Sequence, residues 1–115
     1  MIAARVGAVN VLASPVLDRF RGFIIDRVRQ ARLPAIYQWP ETAGDGGLVS
    51  YGPRQLLAYQ QVTRFVDKIL KGAKPADLPV EQPTTFELVI NLKTARTLGL
   101  TIPPSVLSRA DHITE

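Results

Sequence analysis

The spacing of apolar and polar positions changes several times along the chain. Val6, Val9, Val11 and Leu12 form a short β-rich run that ends at Ser14-Pro15. Ser14 suits a helix N-cap through its hydroxyl oxygen. Pro15 suits the first helical position, because the N–H it lacks would have had no partner in the first turn. Phe20, Phe23, Ile24 and Val28 then recur at helical spacing as far as Arg32, predicting one helix with one apolar face. LPAIYQW is a second β-rich run. Residues 6–39 therefore read as strand, helix, strand, a βαβ unit whose strands are parallel and whose crossover is right-handed.

The polar, glycine-rich PETAGDGG reads as a loop and LVSY as a third short strand. From Arg54 to Leu70 the positions Tyr59, Val62, Val66, Ile69 and Leu70 mark a second helical stripe, and Gly72 stands where a left-handed cap would end it. AKPADLPVEQPTT, with three prolines, is expected to cross the surface without regular structure. FELVINL alternates Phe86, Leu88 and Ile90 with Glu87, Val89 and Asn91, a strand with at least one buried face. A short helix over KTARTLG and a last turn starting at Pro103-Pro104 lead into a polar tail that carries His112. Helices and strands in this alternation predict an α/β fold with a mainly parallel sheet flanked by helices.

At 115 residues the chain suffices for one small domain, or one lobe of something larger. With 46% hydrophobic and 21% charged residues it has the composition of a folded protein. Its longest apolar runs, VGAVNVLA and FELVINL, fall far short of the roughly 20 residues that cross a bilayer. The opening MIAARVGAVNVLASP reads as a strand without a cleavage region, so no signal peptide is expected. Cysteine is absent and His112 is the single histidine, which excludes disulfides, thiolate chemistry and Cys/His zinc sites; no metal and no cofactor are expected. The net charge is +4, and Arg5, Arg19, Arg21, Arg27, Arg29 and Arg32 lie close together. They alternate with apolar positions and have no interleaved exposed aromatics, so they read as a solvated helix face with no nucleic-acid partner.

Catalytic patterns are also missing. Asp18, Asp26, Asp45 and Asp67 are dispersed, and neither Ser14 nor Ser50 has a histidine near it in sequence. Gly44-Asp45-Gly46-Gly47 lacks the spacing of a phosphate loop, and no GxGxxG follows the first strand. No enzyme is expected. In parallel sheets, ligands lie beyond the carboxyl ends of the strands. Those ends are Ala13-Ser14-Pro15, Tyr37-Gln38-Trp39 and Ser50-Tyr51-Gly52, along one rim. Trp39 and Tyr51 offer stacking surface, and the helix start at Ser14 offers a place for a carboxylate. Taken alone, the rim reads either as a binding site or as plain turns, and Trp39 either as a ligand contact or as packing.

LPAIYQW, GGLVSYG and VDKILKGAKPADLPVEQPTTFELVINLKTARTLGLTIPPSVLSRAD resemble the C-terminal part of the ABC-transporter substrate-binding proteins of the tryptophan/tyrosine-type family, which have the type 1 periplasmic binding protein fold. The resemblance runs from about Val6 to the end of the chain. It implies that residues 1–115 are a single partial second lobe, since family members are several-fold longer. It implies ligand contacts from Ser14, Pro15, Gln38, Trp39, Ser50, Tyr51 and Gly52, with Ala13 and Pro40 beside them. In some relatives an acidic residue near the Ser14 position can meet a ligand amine; this chain has none there. The implied function is solute binding in an ABC import system: capture of a small amino-acid-like ligand, aromatic ones included, and delivery to a permease, periplasmic in the family. Residues 53–72 would cross to a first lobe. Without that lobe, weak binding by the chain alone and a homodimer through the 54–70 helix are expected. The alternative reading is a sensory, regulatory or interaction module built on the same fold.

Overall fold

The computed structural model describes residues 6–115; Arg5 of the basic cluster, and the first residues of the segment read as lacking a leader, lie outside the described residues. Strands β1 (Val9–Val11), β2 (Ala35–Tyr37), β3 (Val49–Gly52), β4 (Glu87–Asn91) and β5 (His112–Thr114) form one sheet in that order. β1–β2, β2–β3 and β4–β5 pair in parallel, and β3–β4 is antiparallel. The α/β fold with a mainly parallel sheet and flanking helices is therefore the one expected from the alternation of periods.

The first helical stretch departs from the expectation. It is two helices, α1 (Pro15–Arg19) and α2 (Arg21–Gln30), separated at Phe20, whose φ of −101° and ψ of 15° leave the helical region. Ser14 precedes α1 in an extended conformation, but its hydroxyl makes no capping hydrogen bond; its backbone carbonyl accepts from the Asp18 N–H at 2.9 Å. The buried face of α2 is also rotated from the one expected. Ile25 and Val28 are buried, whereas Phe20 and Phe23 are more than half exposed. The bend turns α2 so that its branched aliphatics lie on β1 and β2, and Phe23 is left to stack under the Arg27 guanidinium at 5.0 Å. Ile25, Val28, Ala35 and Tyr37 make the core here, with Val9, Val11, Ile24 and Leu33 packed around them.

PETAGDGG, expected to be a loop, contains the short helix α3 (Pro40–Gly44). Pro40 presets the first helical φ and Glu41 stands in the first turn near the positive end of the peptide dipoles, local signals that a glycine-rich composition hides. α3 packs on β3 and β4. Asn91 fastens it: its side-chain amide donates to the Ala43 carbonyl at 2.8 Å, and its side-chain oxygen accepts from the Thr94 N–H at 2.9 Å, capping α5 (Leu92–Leu98). β4 has both faces covered toward its end, with Val89, Ile90 and Asn91 all buried. After α6 (Pro104–Leu107) the chain returns as β5, so His112 is not in a frayed tail. The Asp111 carboxylate accepts from the Leu88 N–H at 2.7 Å and the Leu88 carbonyl accepts from the Asp111 N–H at 2.9 Å, pinning the entry to this strand.

The segment between β3 and β4 stands off the sheet. α4 (Gln55–Leu70) ends at a turn where Gly72 takes the expected left-handed conformation, φ 100°, and the chain comes back through a single 3₁₀ turn at Pro75–Asp77. No residue of α4 is buried. The radius of gyration, 17.3 Å, exceeds the roughly 13 Å of a compact chain of this length, because α4 and its return segment project as an arm.

Candidate functional site

The parallel register puts the carboxyl ends of β1, β2 and β3 on one edge of the sheet. Ser14, half-buried, and Pro15, exposed, lie where β1 gives way to α1. Gln38 and Trp39, both half-buried, fill the turn between β2 and α3. Between these two turns is a cavity of about 20 Å³, its wall shared by Leu12, Leu17, Asp18, Tyr37, Gln38 and Trp39. Arg21 and Thr42 also border it.

The third segment divides its residues. Ser50 is fully buried, and its hydroxyl donates to the Pro40 carbonyl at 3.3 Å, tying β3 to the β2–α3 turn. Gly52 is buried against the backbone of Gln38: a Cβ there would collide with the Gln38 carbonyl oxygen and lie 3.2 Å from its carbon. Tyr51, between them, projects to the other side of the strand, is 55% exposed, and stacks on Phe86 with ring centroids 5.8 Å apart. Of the residues expected to share one rim, the structure gathers Gln38 and Trp39 with the start of α1. It uses Ser50 and Gly52 as the backing of that turn, and sets Tyr51 apart at the root of the arm.

Sequence reasoning did not single out Asp18 and Arg21 as rim residues. The available signal was that Asp18 lies four residues after Ser14, one helical turn, and so on the same face. Arg21 donates from Nε to Asp45 at 2.7 Å and from Nη1 to Asp18 at 3.3 Å. Its pKa is raised, first by the hydrogen bond to Asp45, against an opposing effect of burial, and then by the Asp45 charge and by Asp18. Burial raises the Tyr37 phenol as well. At the arm's root, Arg54 Nε donates to both carboxylate oxygens of Glu87 at 2.8 Å, and that bond is the first cause of its raised pKa. The Gln55 N–H donates to Glu41 Oε1 at 3.2 Å, joining α4 to α3.

Among the described residues no cluster of three or more His, Cys, Asp or Glu side chains is placed to hold a metal, and no helix is long and apolar enough to cross a membrane. An open hollow of about 780 Å³ lies between α4 and its return segment, bordered by Pro53, Leu57, Gln61, Arg64, Glu81 and Pro83. It belongs to the arm and not to the rim.

The family model for ABC transporter substrate binding proteins matches residues 5–114. Among solved structures, the chain is similar to a conserved domain protein from Vibrio cholerae O1 biovar El Tor, with 28% identity and a TM-score of 0.89, over 98% of this chain and 38% of that one. It is similar to the ABC domain from Streptococcus pneumoniae in complex with L-Trp, with 30% identity and a TM-score of 0.85, over 97% of this chain and 38% of that one. A substrate-binding protein with adhesive properties from Clostridium difficile, ligand-free and open, shares the fold at 17% identity and a TM-score of 0.55, over 92% of this chain and 36% of that one. No curated protein matches. The chain thus spans well under half the length of the structures it resembles. A match over residues 5–114, on a sheet and rim of this form, makes the chain a member of the ABC transporter substrate-binding protein family, whose members bind solutes and are not enzymes.

Proposed function

We propose that this chain is part of the second lobe of a type 1 periplasmic binding protein fold, in the solute-binding component of an ABC import system. The component captures a small amino-acid-like ligand, aromatic in side chain, outside the cytoplasmic membrane and hands it to a permease. The observation that carries this reading is the small hollow that Leu12, Leu17, Gln38 and Trp39 share at the carboxyl ends of the parallel strands β1 and β2, where α/β sheets hold their ligands; Ser14 stands just before α1 on the same edge. The molecule bound to the similar S. pneumoniae domain, L-Trp, supports an aromatic amino acid as the solute. Trp39 supplies stacking surface, Ser14 and the backbone at the start of α1 face the ligand's polar end, and Ser50 and Gly52 hold Gln38 and Trp39 in place. The chemistry is binding without turnover.

Cleft proteins gain affinity by closing two lobes over the solute, so one lobe alone binds weakly. Trp39 is the chain's single tryptophan, and its indole N–H in a ¹⁵N-labelled sample reports directly on the rim. Titration with L-tryptophan, L-tyrosine and L-phenylalanine is expected to shift that resonance in the millimolar range, on the order of −4 kcal/mol of binding. Backbone amides at Gln38 follow the same titration in Trp39→Ala, which is expected to weaken it. Unchanged affinity in Trp39→Ala would remove the rim from the site, and the same measurement on Tyr51→Ala decides whether the arm's root contributes.

The arm supports a second element of the reading. Tyr59, Val62, Val66 and Ile69 follow one another at spacings of three, four and three, the seam of two heptads, while Arg64, Asp67, Lys68 and Lys71 lie off it. Val62 is 56% and Tyr59 69% exposed. We therefore propose that the isolated chain forms a homodimer through residues 54–70, the seam packing on its symmetry mate as exchange of identical elements allows; in a two-lobed protein the same seam faces the first lobe. Light scattering at micromolar concentration is expected to give a dimer that Val62→Glu and Val66→Glu convert to monomer. A monodisperse wild-type monomer, unaltered in mass and stability by either substitution, refutes it.

A further inference from the structure

We propose that Glu41 is a positioning residue that ties the arm to the rim: it holds the first turn of α4 and offers Arg54 a second seat, in exchange for Glu87. The exchange stands on the geometry of the arm's root; its effect on the rim rests on the reading of the rim as a solute site. Three observations carry it.

The first is an oxygen without a donor. Glu41 lies in the first turn of α3, close behind Trp39. Its Oε1 accepts from the N–H of Gln55, the first residue of α4, at 3.2 Å. Among the described residues, its Oε2 is the buried side-chain polar atom that has no hydrogen-bond partner. A carboxylate oxygen in that state has lost water and gained nothing in return, so a donor that reaches it is favoured there.

The second is the donor at hand. Arg54 directly precedes Gln55, so its side chain starts from backbone that Glu41 already holds. Its guanidinium meets Glu87, with Nε 2.8 Å from both carboxylate oxygens and Nη2 2.7 Å from one of them. These contacts leave donors unused on a group that carries several N–H bonds. Glu41 is also near enough for its charge to add to the raised pKa of Arg54, behind the hydrogen bond to Glu87, the opposing effect of burial and the Glu87 charge. Glu87 keeps a neighbour if Arg54 leaves it, since His112 Nε2 lies 3.3 Å from its Oε2.

The third is that one side of the root is fixed and the other is free. Gly52 is seated on the Gln38 carbonyl and Ser50 holds the Pro40 carbonyl, so β3 and the β2–α3 turn move as one. α4 buries no residue, so a change in its angle disturbs no core packing. Moving Arg54 from Glu87 to Glu41 therefore tilts the arm and puts a second tie on α3, whose N-cap residue is Trp39. By reciprocity, whatever the rim binds in one of these states favours that seat for Arg54.

The test uses the full chain, which has no cysteine, with spin labels at Leu70→Cys and Gln30→Cys, exposed positions at the ends of α4 and α2. Light scattering fixes a concentration at which the protein is monomeric, and double electron–electron resonance then reads the arm's position. Glu87→Gln is expected to move the main distance to a second defined value, and Glu87→Asp, a milder change, to populate both values. Adding Glu41→Gln is expected to abolish the second value. A merely structural Glu41 would lower the urea midpoint and leave the distances alone. An unchanged distance in Glu87→Gln and Glu87→Asp, or a second value that survives Glu41→Gln, overturns the exchange. At the rim, the Trp39 indole N–H is expected to report L-tryptophan binding about fivefold tighter in Glu87→Gln than in the wild type, the low end of coupling between sites, because the second tie pre-organises the start of α3. Equal affinities overturn the coupling of arm and rim. If L-tryptophan does not move the Trp39 resonance, the solute-site reading and the coupling fall, while the distances still decide the exchange.

Discussion

Gly52 and Glu87 face each other across β3 and β4, so residues 53–86 leave the sheet and re-enter it at one point. We consider replacing that 34-residue excursion by a turn of about four residues carrying Asn and Gly, a common hairpin length. α4 buries no residue, so little apolar surface is exposed by its removal. What is lost lies at the root: the two-pronged Arg54–Glu87 pair, the Gln55–Glu41 hydrogen bond and the Tyr51–Phe86 stack. At partly exposed positions each contributes about 1 kcal/mol, or about 3 kcal/mol together. Shortening the connection acts in the opposite direction. Each halving lowers the closure cost by about 0.6 kcal/mol, and three halvings amount to roughly 2 kcal/mol. Relative to the dissociated wild-type chain, the expected net change is within about 1 kcal/mol of zero. Urea unfolding followed by circular dichroism and by Trp39 fluorescence measures it, with light scattering to show that the shortened protein is a monomer. An unfolded product, or a loss much beyond about 3 kcal/mol, would refute the reasoning, because it would mean that α4 covers the sheet and is part of its core.

Three further outcomes follow from the packing. Gly52→Ala, which drives a methyl into the Gln38 backbone, is expected to cost about 3 kcal/mol and lower Tm by roughly 10–20 °C, since overpacking against main chain cannot relax through a rotamer; Gly22→Ala, in α2 with open space around it, should instead add about 0.5–1 kcal/mol, and equal effects at the two sites would refute the contrast. Burial raises the Tyr37 phenol above its ordinary 10.0, so its contribution to stability is complete below about pH 10 and is lost as pH rises toward the folded-state value. Tyr37→Phe should flatten the decline of the urea midpoint above about pH 10, and an unaltered decline would show that Tyr37 is not its source. Glu87→Gln should lower stability by about 1 kcal/mol, and a double-mutant cycle with Arg54→Gln that shows no coupling would mean that the pair at 2.7 Å holds nothing.

Local signals carried far along this chain. β1, β2 and β4 fall within the runs that period and β-branching pick out, β3 overruns LVSY by Gly52, and α4 covers the stripe from Arg54 to Leu70 almost to the residue. The misses have tertiary causes. Phe20 and Phe23 are the largest apolar side chains of their stretch and dominate any helical face drawn from sequence, yet a bend at Phe20 turns them outward and gives the sheet Ile25 and Val28. β5 was not legible because HIT is short and polar; it is a strand through its pairing with β4 and the Asp111–Leu88 bonds that start it. α3 hid in a glycine-rich segment whose composition argues for a turn, while its Pro40 start and the Asn91 amide on Ala43 argue for a helix.

The candidate site shows the same division. Strand ends in a parallel sheet are predictable, so Ser14, Gln38 and Trp39 could be named from the chain alone, but which side chains face inward there depends on a strand's alternation and on where a helix bends. Ser50 and Tyr51 are adjacent in sequence and lie on opposite sides of β3, one wholly buried and the other more than half exposed. Asp18 and Arg21 read as scattered charges until α1 and α2 bring both to the wall of the cavity. The bend at Phe20 matters to both. It lets α2 cover the sheet with Ile25 and Val28 while α1 stays at the rim, so that the core's apolar packing and most of the rim come from different helices. Core substitutions in α2 should therefore shift unfolding without altering the affinity of the rim for L-tryptophan, and Trp39→Ala should lower that affinity. Ile25→Val removes one buried methylene, a loss of about 1 kcal/mol. If it also changed the affinity for L-tryptophan, the separation of core from rim would be wrong.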